Sequence, residues 1–179
     1  MTTVTRPALP EVTSSGLRQF MRNWPGGAAI VTACRDGHPA GCTVTAFFSV
    51  SLNPPLVLIS LSRQSRTLSA IAEHGAFGVN VLSWRHRGLA GRFAEPHTDR
   101  FADVPYRLQD SVPILEDAMA ALVCELEQLF PAADHTLVLG RPQWYVCDDS
   151  QDPVVLFGGT HQRIAGYGIP ADGRGECAS

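Results

Sequence analysis

Residues 41–62 read Gly-Cys-Thr-Val-Thr-Ala-Phe-Phe-Ser-Val-Ser-Leu-Asn-Pro-Pro-Leu-Val-Leu-Ile-Ser-Leu-Ser, and the fold turns on them. Gly41, Thr43 and Thr45 alternate with Cys42, Val44 and Ala46, a period of two that puts small polar groups on one face of a strand from about Ala40 to Val50. Asn53-Pro54-Pro55 breaks that strand, because proline cannot donate to a ladder. Leu56–Leu61 is an apolar run short enough for a buried strand. Strand follows strand with no helix between them, the order of an antiparallel sheet.

Upstream, Ala28–Ala33 is β-like and runs into Arg35-Asp36-Gly37-His38, a hairpin signal. Thr13 or Ser14 caps a short helix in which Leu17, Phe20, Met21 and Trp24 recur at helical spacing, and Pro25-Gly26-Gly27 ends it. Downstream, Ser65 caps a helix over Thr67–His74 that Gly75 closes. Phe77–Leu82 reads as a strand, Trp84–Ala90 as a short amphipathic helix, and residues 91–117 as a long turn-rich connection. Two long strands, Ala118–Phe130 and Thr136–Val146, and a short one, Val154–Phe157, complete the pattern. Six or seven strands with two or three short helices make the chain mainly β and argue against parallel α/β architecture. A β-barrel with peripheral short helices is expected, since closure removes exposed edges. One domain is expected over 13–165, between a flexible N-terminal arm (1–12) and a flexible Gly-rich tail (166–179).

Composition excludes several functions. The 179 residues are 45% hydrophobic and carry a net charge of −3, without the basic excess of a nucleic-acid binder. All 14 basic residues are arginine. That rules out Schiff-base lysines, pyridoxal-phosphate lysines and P-loop lysines, so a bound anion must be met by Arg, His, hydroxyls or main-chain N–H groups. The five cysteines, Cys34, Cys42, Cys124, Cys147 and Cys177, are scattered and form no CxxC, a pattern of reduced thiols in a cytoplasmic protein. The opening MTTVTRPALPEVTSS lacks the apolar core of a secretory signal, and no membrane span is expected. The six histidines show no metal-ligand spacing, so no metal site is expected. GxGxxG, GxSxG, Walker A and HExxH motifs are absent.

What remains is a corner. Ser60, Ser62, Ser65, Arg66 and Thr67 form a hydroxyl-rich bend with one guanidinium, leading into a helix N-terminus where free N–H groups and the helix dipole favour phosphate. Arg66 can add a bidentate charged contact.

At this point a family resemblance emerges. Phe20 with Pro25-Gly26-Gly27-Ala28-Ala29-Ile30-Val31-Thr32-Ala33, then Asp36-Gly37, then residues 41–62, resembles the opening of the short-chain NAD(P)H:flavin oxidoreductases. These are the reductase components of two-component flavin-dependent monooxygenases. Further matches follow in order: SRTLSAI (65–71), Phe77-Gly78-Val79-Asn80-Val81-Leu82, Leu89-Ala90-Gly91-Arg92-Phe93, Pro113-Ile114-Leu115, Ala133-Asp134-His135-Thr136 and FGGTHQRI (157–164). The resemblance implies an FMN-binding split barrel, a homodimer with flavin near the subunit interface, and a monooxygenase partner that receives reduced flavin. It implies FAD or FMN as flavin and NADH or NADPH as hydride donor, without choosing between them.

By position in the family, Gly41, Cys42, Thr43, Val44, Thr45 and Ala46 should line the isoalloxazine and ribityl chain. Ser60, Leu61 and Ser62 with Arg66 and Thr67 should take the phosphate, and Asn80, Arg92 and Phe93 are further flavin-side candidates. His135 corresponds to a histidine beside the nicotinamide, and His161 with Arg163 to a closing segment that touches the dinucleotide. Three positions depart from the family pattern. Thr45 and Ala46 stand where Asn or Ser is frequent, Ala133 replaces a glycine, and His161 replaces an aromatic residue. A non-catalytic flavin- or haem-binding split barrel is the alternative. An oxidase of the pyridoxamine-phosphate type fits less well, for want of lysine, and a purely structural role least.

Overall fold

The computed structural model describes residues 11–96, 99–116, 118–148 and 150–164. The expected tail, and all but the last two residues of the expected arm, lie outside them. Helix α1 spans Ser14–Met21, with the Thr13 hydroxyl accepting from the Gly16 N–H. There follow β1 (Gly26–Gly27), β2 (Ala29–Arg35), β3 (His38–Val44), β4 (Phe47–Leu52), β5 (Pro55–Ser62), α2 (Arg66–His74) and β6 (Ala76–Val81). A 3-10 turn at Trp84–His86 leads into α3 (Arg87–Ala94), then β7 (Tyr106–Gln109), β8 (Val112–Leu115), β9 (Ala120–Ala132), β10 (His135–Cys147), β11 (Val154–Phe157) and β12 (Thr160–Arg163).

Seven strands form one antiparallel ladder in the order β3-β2-β6-β9-β10-β5-β4. Its two end strands, β3 and β4, are consecutive in the chain and separated only by Thr45-Ala46. A sheet whose opposite edges are joined by so short a link must curl until those edges meet. The Ser60 N–H donates to the Ala46 carbonyl at 3.3 Å, which extends the β4–β5 pairing by one residue, and no ladder joins β3 to β4. The result is a split barrel, as expected, curled but not sealed. A three-stranded sheet (β1-β11-β12) and the β7-β8 hairpin lie outside the main ladder.

Inside the curl, Val31, Ile59, Phe77, Val79 and Val138 are fully buried, and α2 adds Ala70 and Ile71 to the same cluster. Ser65 caps α2 by accepting from the Leu68 N–H, and Gly75 ends it at φ 77°, a left-handed position that glycine occupies without steric cost. The β2–β3 turn carries positive φ at both Asp36 (51°) and Gly37 (76°), as the hairpin signal requires.

Three readings need correction. The single strand expected over 40–50 is two, because the chain leaves the ladder at Thr45-Ala46 although the alternation of residue types runs straight through. The helix expected at Trp84–Ala90 continues to Ala94. The connection 91–117 holds a hairpin, β7-β8, turned by Asp110 and Ser111 at φ 50° and 67°. No glycine or asparagine announced that turn.

Asn80, expected beside the flavin, is a core residue with no exposure. Its amide donates to the Ile30 carbonyl at 3.0 Å and to the Thr32 hydroxyl at 3.1 Å, and its Oδ1 accepts the Leu115 N–H at 2.8 Å. Every strong hydrogen-bonding direction is spent tying β8 to β6 and β2. The polar residue in an apolar strand is there to satisfy a buried junction.

Candidate functional site

The seam, the end of β5, the start of α2 and the end of α3 enclose a cleft of about 770 Å³. Cys42, Thr43, Val44, Thr45 and Ala46 form one wall and Ser60, Leu61 and Ser62 another. Arg66, Phe93 and His135 complete the set of expected residues found there. Segments from opposite ends of the ladder are thus brought together by the curl alone.

The donors and acceptors of these walls are unequally committed. The Thr43 hydroxyl donates to the Ala90 carbonyl at 2.7 Å, which fastens β3 to α3 and leaves its oxygen free to accept only. The hydroxyls of Thr45 and Ser60 have no partner among the described residues. Thr45 and Ala46 lie outside the ladder, so strand pairing consumes neither N–H. Ser62 accepts from the Gln64 N–H at 3.3 Å and retains a proton to donate, whereas Ser65 accepts from the Leu68 N–H at 3.4 Å and also meets the Cys42 thiol at 3.9 Å. Arg66, the first residue of α2, is exposed and makes no ion pair or hydrogen bond among the described residues. Thr67 is 1% exposed, and its hydroxyl has no partner among the described residues. Leaving such a group unsatisfied costs about 1–3 kcal/mol. A phosphate fits this corner, which offers unpaired helical N–H groups, serine protons and a guanidinium.

His135 opens β10, cross-strand from Ser62, with Nδ1 2.8 Å from the Asp134 carboxylate. The hydrogen bond from His135, and then its charge, hold the Asp134 carboxyl below its ordinary value. A carboxylate on Nδ1 favours the proton there and leaves Nε2 as the free ring nitrogen. A lowered folded pKa contributes stability above the unfolded value, and that contribution is lost as pH falls through the folded one. The pair should therefore persist into mild acid. A carboxyl NMR titration should give Asp134 a midpoint below 3.8, and a midpoint at or above it would mean the contact does not form in solution.

Ala133 precedes this pair at φ 52°, a conformation that costs an L-residue about 1–2 kcal/mol. Ala133→Gly should stabilise the chain by roughly 0.5–1 kcal/mol after the added chain entropy of glycine is subtracted. A rise in the urea midpoint at constant slope is the expected reading.

Other expected residues lie elsewhere. Gly41 is buried; a Cβ there would meet Phe93 at 3.0 Å and Phe101 at 3.1 Å, so it is needed for close packing. Gly41 and Thr67 line a second cleft of about 570 Å³ beside the first. Arg92 donates to the carbonyls of Asp99 and Ala102 and braces the segment after α3, outside the main cleft. His161 and Arg163 lie on β12 in the small sheet. Arg163 is held by Asp152, with Nε 2.9 Å from Oδ2, and neither residue lines the cleft containing His135.

Arg100 was missed. It donates to the Gly41 carbonyl at 2.6 Å and to the Glu95 carbonyl at 3.0 and 2.8 Å, and it lines both clefts. An arginine in a segment read only as turns carries no spacing signal. The four described cysteines are unpaired, and burial pushes the Cys124 thiol up to about 12, which makes it unreactive at neutral pH. No helix among the described residues is long and apolar enough to cross a membrane.

A curled antiparallel sheet with a hydroxyl- and amide-lined cleft at its seam and an anion corner at a helix start defines a split-barrel protein that can hold a phosphorylated ring cofactor. Residues 21–165 match the family described as the flavin reductase like domain, and the chain belongs to it. It is 36% identical over 164 residues to an NADH-dependent flavin reductase of a Rhodococcus species, covering 87% of this chain and 89% of that one. A longer probable flavin reductase of Rhizobium meliloti is 39% identical over 127 residues, and the match spans 70% of this chain and 41% of that protein. Among solved structures, the NADH:FAD oxidoreductase of Streptomyces globisporus in complex with NAD and FAD fragments superimposes with a TM-score of 0.80. It is 30% identical over 85% of this chain and 93% of that one. The styrene monooxygenase flavin reductase of Pseudomonas putida S12 gives 0.76 at 27% identity, over 86% and 97% of the two chains.

Proposed function

We propose that this chain is an NAD(P)H-dependent flavin reductase that supplies reduced flavin to a partner monooxygenase. The observation that carries the reading is the meeting of the Thr45-Ala46 seam with the serine and arginine corner of α2 in one cleft. A bound flavin supplies the hydride acceptor and a dihydronicotinamide the hydride, so the chain need not provide a strong acid, base or nucleophile.

Its own residues bind and orient. Arg66, Ser62 and the first turn of α2 hold the phosphate, while Leu61, Val44 and Phe93 give the cleft its apolar surface. The unpaired N–H groups of Thr45 and Ala46 are suited to negative charge, since fixed amide dipoles need no reorganisation as charge develops. His135, positioned by Asp134, stands at the cleft mouth with Nε2 available to a nicotinamide carboxamide. His135→Ala should raise the KM for the dinucleotide about five- to tenfold with a smaller fall in kcat, the pattern of lost binding. An unchanged KM beside a collapsed kcat would make the histidine a chemical participant.

Phe20, Trp24, Phe48, Leu52 and Phe157 are 46–86% exposed. Several of them surround a further cleft of about 660 Å³ on the other side of Thr45-Ala46. Large apolar side chains gathered beside a site are what a second subunit covers, and they support a homodimer in which the partner completes the nicotinamide side. The unpaired thiols support a cytoplasmic location, and the continuous ladder supports a single domain over 13–165. Stopped-flow mixing with NADH or NADPH tests the reading against a non-catalytic carrier. A reductase bleaches the bound flavin in the presence of either or both dinucleotides, and a carrier leaves its colour unchanged.

A further inference from the structure

Away from the main cleft, between α3 and the chain that leads into the β7-β8 hairpin, lies a separate recess of about 200 Å³. Leu82, Leu89, Val104, Pro105, Leu115 and Ala118 give it an apolar lining. We propose that this recess binds a small neutral aromatic molecule, about one ring in size, and that its occupancy is linked to flavin binding through α3. The site stands independently of the flavin reading; the linkage rests on it.

Size and lining select the class. Leu82, Val104 and Leu115 are buried and form the closed end, whereas Asp103 and Pro105 are exposed and mark the side open to solvent. Such walls hold water poorly, because an ordered water needs several polar partners, and apolar cavities of about 150 Å³ take up benzene. Charge is unwelcome. Arg92 and His86 border the recess, but both have partners within the protein: Arg92 donates to the Asp99 and Ala102 carbonyls, and His86 Nδ1 lies 3.1 Å from the Ser83 hydroxyl. The Asp103 carboxylate at the open side disfavours an anion, and a cation would lose its hydration against the leucines.

Helix α3 serves both sites from neighbouring faces. Ala90 and Phe93 share one face: the Ala90 carbonyl accepts from the Thr43 hydroxyl at 2.7 Å, and Phe93 lines the flavin cleft. Leu89 and Arg92, also three residues apart, share the next face and line the recess. Arg92 further holds the segment that contains Arg100, which itself donates to the Gly41 carbonyl at 2.6 Å and lines the flavin cleft. A ring seated against Leu89 and Arg92 adds contacts that keep α3 on β3. Occupancy therefore favours the flavin-binding geometry, and by reciprocity bound flavin favours occupancy.

The test uses the full chain with fluorobenzene as the probe, its binding followed by fluorine NMR. Saturable binding at about 1 mM or tighter is expected, and saturating probe should tighten flavin binding about fivefold. Ala118→Leu and Leu89→Phe each fill the recess from a different wall. Both should abolish probe binding and the change in flavin affinity, while Ala118→Leu retains dinucleotide-dependent flavin reduction as evidence of folding. Absence of saturable binding, or binding that survives in both filled variants, would overturn the site. Binding lost in the filled variants but without effect on flavin affinity would overturn the linkage. A chain that takes up fluorobenzene in the recess yet binds neither FAD nor FMN would uphold the site and overturn the flavin reading.

Discussion

Arg66→Ala should weaken flavin binding by roughly ten- to a hundredfold, because a charge-assisted hydrogen bond contributes about 1.5–3 kcal/mol and each 1.4 kcal/mol is a factor of ten. The guanidinium stands at the first position of α2 with no partner among the described residues, so its removal breaks no contact seen there. The melting temperature of the variant should match the parent's within a degree or two. The contrast residue is Arg63, three positions earlier. It is also exposed, and among the described residues its side chain makes only a long contact, 3.5 Å, with the Ala133 carbonyl. Arg63→Ala should leave flavin affinity within about twofold, since it removes nothing from the phosphate corner and only screened charge at a distance. Equal losses in the two variants would mean that general positive charge, and not the corner, holds the phosphate.

Gly140→Ala should destabilise the chain by about 2–3 kcal/mol, at the upper end of what one added methyl costs in a packed core. A Cβ at residue 140 would lie 2.4 Å from Phe77 Cζ, 2.7 Å from its Cε1 and 3.0 Å from Cys124 Cβ. Phe77, on β6, is fully buried in the main core cluster, so the ring cannot swing out to solvent to make room. The pairing of β9 with β10 shifts register at Leu139/Gly140 and again at Pro142/Trp144, so Gly140 sits at an irregularity of the long hairpin. Phe77→Leu in the Gly140→Ala background should recover part of the loss, a coupling that a double-mutant cycle in urea measures directly. A single-variant cost below about 0.5 kcal/mol would show that the backbone relaxes and that the close approach is not needed.

Sequence alone reached the elements whose punctuation is local. Asp36-Gly37 announced its hairpin, and Ser65 and Gly75 bracketed α2 to within a residue. The largely apolar run of β5, broken only by Ser60 before Ser62 ends it, could be read without its neighbours. It did not reveal the break at Thr45-Ala46, because the alternation of residue types continues across it. What ends β3 there is the curvature of the whole sheet, a tertiary demand with no local signature. The same limit hid β7-β8, whose turn places Asp110 and Ser111 in left-handed conformations that the flanking chain enforces.

The candidate site shows a parallel division. Thr43, Thr45, Ser60, Ser62, Arg66 and His135 were chosen from pattern and resemblance, and the curl brings them into one cleft. Asn80 is a flavin-side candidate only by its position in the family resemblance, yet its hydrogen bonds all point into the core. Arg92 and Arg100 exchange the standing that sequence gave them. Arg92 has the motif and braces a loop, whereas Arg100 has no motif and stands between two clefts. Which of two arginines faces a cavity depends on how α3 and the chain after it fold back on β3, and no spacing rule encodes that.

The most direct measurement of the central claim is the oxidation of NADH and NADPH by the purified chain in the presence of FAD or FMN. The account predicts catalytic consumption of at least one dinucleotide, saturable in flavin and weakened by Arg66→Ala through flavin affinity. A chain that binds neither flavin and leaves dinucleotide oxidation at its spontaneous rate would contradict it.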